Sequence, residues 1–318
     1  MLILHAQEAI KLFTAEHQRQ PTLLLINDSF GALSCALAGN TQIQVNDSVL
    51  AAQATLYNRQ QNSIADTGLQ QICSLTQFPQ KPDIVLLKLP NNHSYLQYVL
   101  QQLASVVTPQ TLILASAKAK DISRNVLAMF DNTLGPATAS LTVKKCRLIT
   151  CRYNAALQQP ATINFPLRWP LEQSSYQVVN HANVFSRTSL DIGARFMLDN
   201  LPVHSARKVI DLGCGNGVLG LSLLAKDSEV EVTFIDESHM AVASARLNVE
   251  HNLPDALPRA HFMVNNCLDG VAVGAADRIL CNPPFHQLQA ITDHIAWQMF
   301  TDAHRVLPQG GELWIVGN

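Results

Sequence analysis

Short apolar runs separated by longer amphipathic stretches organise the second half of the chain. Lys208-Val209-Ile210, Val232 to Ile235, His261 to Val264, Arg278 to Cys281 and Glu312 to Val316 have the length and composition of buried strands. Helices are expected from Val218 towards Ala225, from about Met240 to Val249, and from about Thr292 to Val306. Strands alternating with helices of this length predict a parallel, doubly wound α/β sheet. On such sheets ligands bind outside the carboxyl ends of the strands, so chemistry is expected in the turns that follow them.

The first half repeats the pattern. Ile26-Asn27-Asp28-Ser29-Phe30-Gly31, leading into an apolar helix, parallels Ile210-Asp211-Leu212-Gly213-Cys214-Gly215-Asn216-Gly217. In this alignment Asn27 falls on Asp211, and the first loop is two residues shorter. Val45-Asn46-Asp47-Ser48 parallels Ile235-Asp236-Glu237-Ser238, which places Asn46 on Asp236 and Asn58 and Asn62 on Asn248 and Asn252. Asp83 to Pro90 parallels Asp277 to Pro284, which places Lys88 on Asn282. Pro109-Gln110 parallels Pro308-Gln309, and four matches in order predict two tandem Rossmann-like domains, 1–155 and 156–318, the first of them degenerate. Residues 156–200 should join them through a hairpin of Thr162–Phe165 and Tyr176–Val179, followed by a segment covering the ligand. The sequence stops just after the fifth strand, so the second sheet is expected to be truncated there.

The turn after the first strand of the second half carries a candidate ligand loop. Gly213 and Gly215 permit positive φ and close backbone approach, and Gly217 lets the following helix pack tightly. The G-x-G-x-G spacing disfavours a dinucleotide fingerprint, and no G-K-[ST] follows to make a P-loop. Asp236 ends the second strand, 25 positions after Asp211. A carboxylate there can accept from both hydroxyls of a ribose, and it also suits a helix cap. Asn265-Asn266 ends the third strand, where the Asn266 amide can reach an adenine edge, although turn asparagines are common.

Asn282-Pro283-Pro284-Phe285 follows the fourth strand directly. Two prolines fix the backbone and remove two N–H donors, leaving an amide oxygen and carbonyls as acceptors. This set suits a planar substrate bearing an NH2 group. The Asn282 side chain and the Pro283 carbonyl would accept its hydrogens, and Phe285 would stack on its ring.

Charge is uneven along the chain. Residues 1–155 carry 12 Lys+Arg against 8 Asp+Glu, and the remainder 10 against 16. Lys118, Lys120, Arg124, Lys144, Lys145 and Arg147 fall in one span of the first half and form a candidate polyanion contact. The seven cysteines never form C-x-x-C. That predicts a reducing, cytoplasmic setting without disulfides or a metal cluster. No apolar run reaches membrane-spanning length.

The loop 211–217, Asp236 and Asn282–Phe285 together resemble class I S-adenosylmethionine-dependent methyltransferases that act on exocyclic amino groups. The stretches 181–196, 236–250 and 279–287 resemble, more closely, bacterial large-subunit ribosomal RNA guanine-N2 methyltransferases, which act on guanine-1835 of 23S rRNA. Small-subunit enzymes acting on 16S guanine-1207 share the two-domain plan. The resemblance implies two tandem methyltransferase domains, the second alone catalytic, and methyl transfer from S-adenosylmethionine to N2 of a guanine in 23S rRNA. It implies cofactor contacts from Asp211, Gly213, Gly215, Asn216, Gly217, Asp236, Asn266 and a covering Phe185. Asn282, Pro283 and Phe285 would hold the base, the basic span would hold RNA, and no metal would be needed in a monomeric enzyme. A non-catalytic rRNA-binding assembly protein, and an enzyme modifying DNA adenine or protein glutamine, are the alternatives from other classes.

Overall fold

The computed structural model describes residues 1–157, 164–186, 188–202, 206–283 and 292–316. They form two compact units, Met1–Ile163 and Asn164–Asn318.

The first unit contains α1 Leu2–His17, β1 Thr22–Ile26, α2 Ala32–Ala36, β2 Thr41–Val45, α3 Val49–Gln61, β3 Leu69–Ile72 and β4 Ile84–Lys88. It continues through α4 His93–Val106, β5 Leu112–Lys118, α5 Arg124–Thr133, β6 Ala137–Ala139 and β7 Cys146–Arg152. Its sheet runs β3-β2-β1-β4-β5-β7-β6, with β7 antiparallel to both neighbours and the other pairs parallel. The central strands are apolar throughout, as burial on both faces demands: Leu23 to Ile26 and Val85 to Leu87 have no exposed surface.

In the second unit β8 Leu167–Pro170 and β9 Gln177–Asn180 form a hairpin ahead of α6 Ile192–Asp199. Then come β10 Lys208–Leu212, α7 Val218–Lys226, β11 Glu231–Asp236, α8 His239–Asn252, β12 Ala260–Val264, β13 Arg278–Cys281, α9 Thr292–Val306 and β14 Glu312–Ile315. The sheet order is β12-β11-β10-β13-β14, all parallel. The hairpin differs from expectation. Its first strand is Leu167–Pro170 rather than Thr162–Phe165, of which residues 162–163 lie outside the described residues. Two prolines flank the true strand, and proline is normally read against a strand interior. Trp169, facing inward and 6% exposed, is what anchors it.

The repeat shows in matching hydrogen bonds. Asp83 accepts from the backbone N–H of Thr22 at 2.8 Å, and Asp277 from that of Lys208 at 2.9 Å. Each aspartate thereby ties the start of a fourth strand to the start of a first. Ser48 caps α3 by accepting from Ala51 N–H, and Ser238 caps α8 by accepting from Ala241 N–H.

Register corrects one part of the alignment. Ile26 pairs with Val45 and Leu212 with Ile235, so Leu25, not Asn27, occupies the position of Asp211. Asn27 then falls on Gly213, and the two loops to Gly31 and Gly217 are equal in length. Anchoring on the first polar residue after an apolar run had shifted the match by two. Asn27 keeps the left-handed conformation of Gly213, with φ of 61° against 69°, which asparagine tolerates better than most residues.

Of the loop glycines, the first unit retains only the one that packing requires. A Cβ on Gly31 would lie 2.7 Å from Cα of Thr55, and one on Gly217 would lie 2.7 Å from Cβ of Ala245. Both have positive φ. Gly31→Ala should therefore destabilise the first unit by roughly 3 kcal/mol, about 1–2 from the left-handed backbone and the rest from overpacking. Ser29→Gly, at the position of Gly215, should cost less than about 1 kcal/mol. Urea denaturation of both variants checks this.

Candidate functional site

The candidate site lies at the carboxyl ends of β10, β11 and β13. The turn after β10 is held from its neighbour: Gly213 and Cys214 donate their N–H groups to the carbonyl of Ile235 at 2.8 and 3.0 Å. Asp236 Oδ2 accepts from Gly215 N–H and Oδ1 from Ser238 N–H, both at 2.9 Å. One carboxylate thus fixes the loop and the approach to α8.

Gly215 has φ of 54°, and a Cβ there would meet nothing within 4 Å. No packing inside the protein explains its lack of a side chain. Asn216 behaves differently. It is 5% exposed, and its side chain turns inward, donating to Asn180 Oδ1 at 3.1 Å. It shapes the loop from within. Asn180 in turn donates to the carbonyls of Phe185 and Ser186 at 3.3 and 3.2 Å. A fully buried amide therefore links the glycine loop to the segment bearing Phe185, whose own ring is 67% exposed. Neither Asn180 nor this linkage was evident from sequence, because β9 carries no motif.

Asp211 is buried beneath the loop, 1% exposed, and accepts from Gly220 N–H at 3.0 Å. Burial pushes its carboxyl up to about 7; the Gly220 bond opposes that rise and the negative charge of Asp236 adds to it. In the first unit the equivalent turn is neutralised internally. Asp28, fully buried, accepts from Leu33 and Ser34 N–H at 2.9 and 3.1 Å, and its other oxygen lies 3.5 Å from Lys88 Nζ. Ser34 is the counterpart of Gly220, so a carboxylate holds the same helical N–H in both units from different positions.

Asn282 follows β13, half-buried, with Pro283 buried behind it. Its Nδ2 donates to Asp191 Oδ2 at 3.1 Å. The same Asp191 oxygen caps α6 by accepting from Ala194 N–H at 3.1 Å. A carboxylate only accepts, so the amide nitrogen must face Asp191, and Oδ1 is the end left for other partners. Phe285 lies outside the described residues. Asn266 is committed to its own turn: Nδ2 donates to Asp269 at 2.9 Å, and Oδ1 accepts from Gln298 at 3.3 Å.

The basic span gathers at one end of the first sheet. Lys118 pairs across from Cys146, and Ala119 N–H donates to the carbonyl of Lys145 at 2.8 Å. That contact brings the end of β5 to the tight turn carrying Lys144 and Lys145, both with positive φ. Lys118, Lys120, Arg124, Lys144 and Lys145 are exposed. Arg147 is half-buried and donates to the carbonyls of Ser140 and Ala139, at 2.8 and 3.4 Å, so it braces the hairpin. Among the described residues there is no group of three or more His, Cys, Asp or Glu arranged to hold a metal, and no helix long and apolar enough to cross a membrane.

Fold and site together define a methyltransferase of the doubly wound type, preceded by a second copy of its own plan. Residues 175–318 match the Methyltransferase small domain model, and residues 3–155 match the RLMG N-terminal domain model. The chain is 62% identical over 303 residues to the ribosomal RNA large subunit methyltransferase G of Aeromonas hydrophila subsp. hydrophila, covering 95% of this chain and 80% of that protein. It is 50% identical over 295 residues to the protein of that name from Klebsiella pneumoniae strain 342, covering 93% and 78%. The chain belongs to the ribosomal RNA large subunit methyltransferase G family. The T. thermophilus 16S rRNA N2 G1207 methyltransferase, solved with AdoMet and guanosine, has the same fold: TM-score 0.73 at 21% identity, over 91% of this chain and 78% of that one.

The raised carboxyl of Asp211 has a consequence for stability. The unfolded chain deprotonates it near 3.9 and the folded chain near 7, so its penalty builds as pH rises between those values and is constant above them. Asp211→Asn keeps an oxygen for Gly220 N–H and removes the charge. Its melting temperature should match the parent near pH 4 and exceed it by about 2–4 °C per kcal/mol relieved at pH 8. Calorimetric melts at the two pH values check this.

Proposed function

We propose that the second unit transfers a methyl group from S-adenosylmethionine to the exocyclic N2 of a guanine in 23S rRNA, and that the first unit positions the RNA. The observation that carries this reading is the Asn282 amide, held by Asp191 with its oxygen left to accept, at the strand end beside the Asp236-supported glycine loop. The relatives at 62% and 50% identity are large-subunit enzymes by name. That favours 23S over 16S rRNA, since the likeness to the 16S enzyme, at 21% identity, is one of fold.

The residues fit the cofactor. The loop offers an open backbone at Gly215, Asp236 offers acceptors for a ribose, and Asp211 and Asp236 offer negative charge. S-adenosylmethionine supplies an activated methyl group on a positively charged sulfur. In the first unit Leu25, Asn46 and Lys88 stand where Asp211, Asp236 and Asn282 stand in the second, and the Lys88 ammonium already sits beside Asp28. A second cation is repelled there.

Guanine N2 is a weak nucleophile because its lone pair is shared with the ring. Asn282 Oδ1 and the Pro283 carbonyl accept its two N–H groups and aim the lone pair at the methyl carbon. Orientation and fixed dipoles supply the rate, and no strong base is needed, because the N2 proton is lost to water after the methyl group has transferred. The target base must leave its stack to reach the turn. Ile192 and Phe196, 81% and 65% exposed and four residues apart on α6, offer it an apolar face next to Asp191. The enzyme works in the cytoplasm as a monomer without a metal.

Asn282→Ala should lower methyl transfer by about 10²–10³-fold while leaving S-adenosylmethionine affinity within about two-fold. Isothermal titration should find one cofactor site per chain in both proteins. Near-normal turnover in the variant rules out the amide's role, and two cofactor sites per chain rule out a degenerate first unit.

Lys118, Lys144 and Lys145 reversed to Glu should weaken rRNA binding and flatten its salt dependence by about 0.7–0.9 per lost phosphate contact. Arg147 is spared because it braces the hairpin. Cofactor affinity should not change. Filter binding across a salt series decides between an RNA platform and an ordinary solvated face.

A further inference from the structure

In the second unit, α8 grips a β-strand by its backbone. Asn248 Oδ1 accepts from Val179 N–H at 2.6 Å, and its Nδ2 donates to Val179 O at 3.1 Å. Asn252 does the same to Gln177, at 2.9 and 3.0 Å. Ser244 Oγ accepts from His181 N–H at 3.0 Å. Every fourth residue of the helix therefore meets every second residue of the strand. The two spacings agree: four helical residues rise about 6 Å and two strand residues about 6.6 Å. Each asparagine is braced from behind as well, Asn248 by donating to Asn216 O at 2.7 Å and Asn252 by donating to Asn248 O at 2.8 Å.

The first unit has the same device without a strand on it. Asn58 of α3 and Asn62, the residue that ends it, occupy the positions of Asn248 and Asn252. The rear braces are intact: Asn58 Nδ2 donates to Phe30 O, the counterpart of Asn216 O, at 2.8 Å, and Asn62 Nδ2 donates to Asn58 O at 2.7 Å. The strand-gripping half of each amide, one N–H and Oδ1, has no partner among the described residues. The surrounding face is apolar and open. Phe30 is 67% exposed and Tyr57 61%, and Leu50 is 37% exposed where its counterpart Met240 is 7%. The only charged residue of α3, Arg59, is 2% exposed and bonded to Asp66 and Ser34.

We infer that this face of α3 is a docking site for an extended polypeptide segment of another protein, held as α8 holds Gln177–Asn180. Two peptide groups of that segment, two residues apart, pair with Asn58 and Asn62. Its small apolar side chains, like Val178 and Val179, cover Leu50, Tyr57 and Phe30. The occupant is polypeptide rather than nucleic acid, because the face offers no cation for a phosphate, and its polar groups are spaced for a strand backbone. The inference stands on this geometry and not on the proposed reaction.

The test uses a fluorescein-labelled peptide with the sequence of residues 174–182 and the full chain. Fluorescence anisotropy should show saturable binding, weakened at least ten-fold by Asn58→Ala with Asn62→Ala. Ala54→Glu, which removes no hydrogen bond and puts a charge on the same face, should weaken it comparably; thermal melts confirm that both variants are folded. Absence of binding up to about 1 mM overturns the inference. So does binding that survives both variants, which would place the peptide on α8, and so does loss of single-stranded RNA binding in the same two variants.

Discussion

The whole arrangement rests on how closely the helix after the first strand approaches the helix after the second. Gly217 meets Ala245, and Gly31 meets Thr55, at distances that leave no room for a Cβ. That approach sets the path of the turn, and the turn sets where the next strand ends and what its last side chain can reach. Asp236 can hold Gly215 only because α7 starts where it does. The first unit keeps this constraint but has Asn27, still left-handed, where the second has Gly213, and Ser29 where it has Gly215. The glycine that packing demands stands in both copies, and those that packing does not demand stand in only one.

The copies also differ in where their positive charge comes from. In the first, an ammonium of the protein itself, Lys88, stands beside the buried Asp28, so the turn is complete without a ligand. In the second, burial raises the proton affinity of Asp211, and the negative charge of Asp236 adds to the rise. The folded protein carries the buried carboxyl of Asp211 as a cost to stability.

Much of this was legible in the chain. The strands of the second half fall where apolar runs stand, because parallel strands buried on both faces cannot alternate. The counterparts Asn46 and Asp236, and Lys88 and Asn282, were found from sequence because polar residues mark strand ends. The same rule misplaced Asn27: the second copy puts its acid inside the strand, at Asp211, where the first has Leu25. The hairpin was mislaid because prolines bracket β8. The buried amides Asn180 and Asn248 could not be weighed in advance, since an asparagine's importance lies in what reaches it from another element. The same holds for Asp191, which caps α6 and also holds Asn282.

That second duty of Asp191 sets a chemical sense as well as a position. An amide is nearly symmetric in shape but opposite in character at its two ends, and only a group that cannot donate fixes which end is which. With its nitrogen turned to Asp191, Asn282 has its oxygen left to accept. An acceptor welcomes an amine and repels a keto oxygen of the same size. Under the proposed function, whether the turn after β13 admits an amino-bearing base and refuses its oxo analogue would be decided by a carboxylate 91 positions earlier in the chain, one that need touch neither.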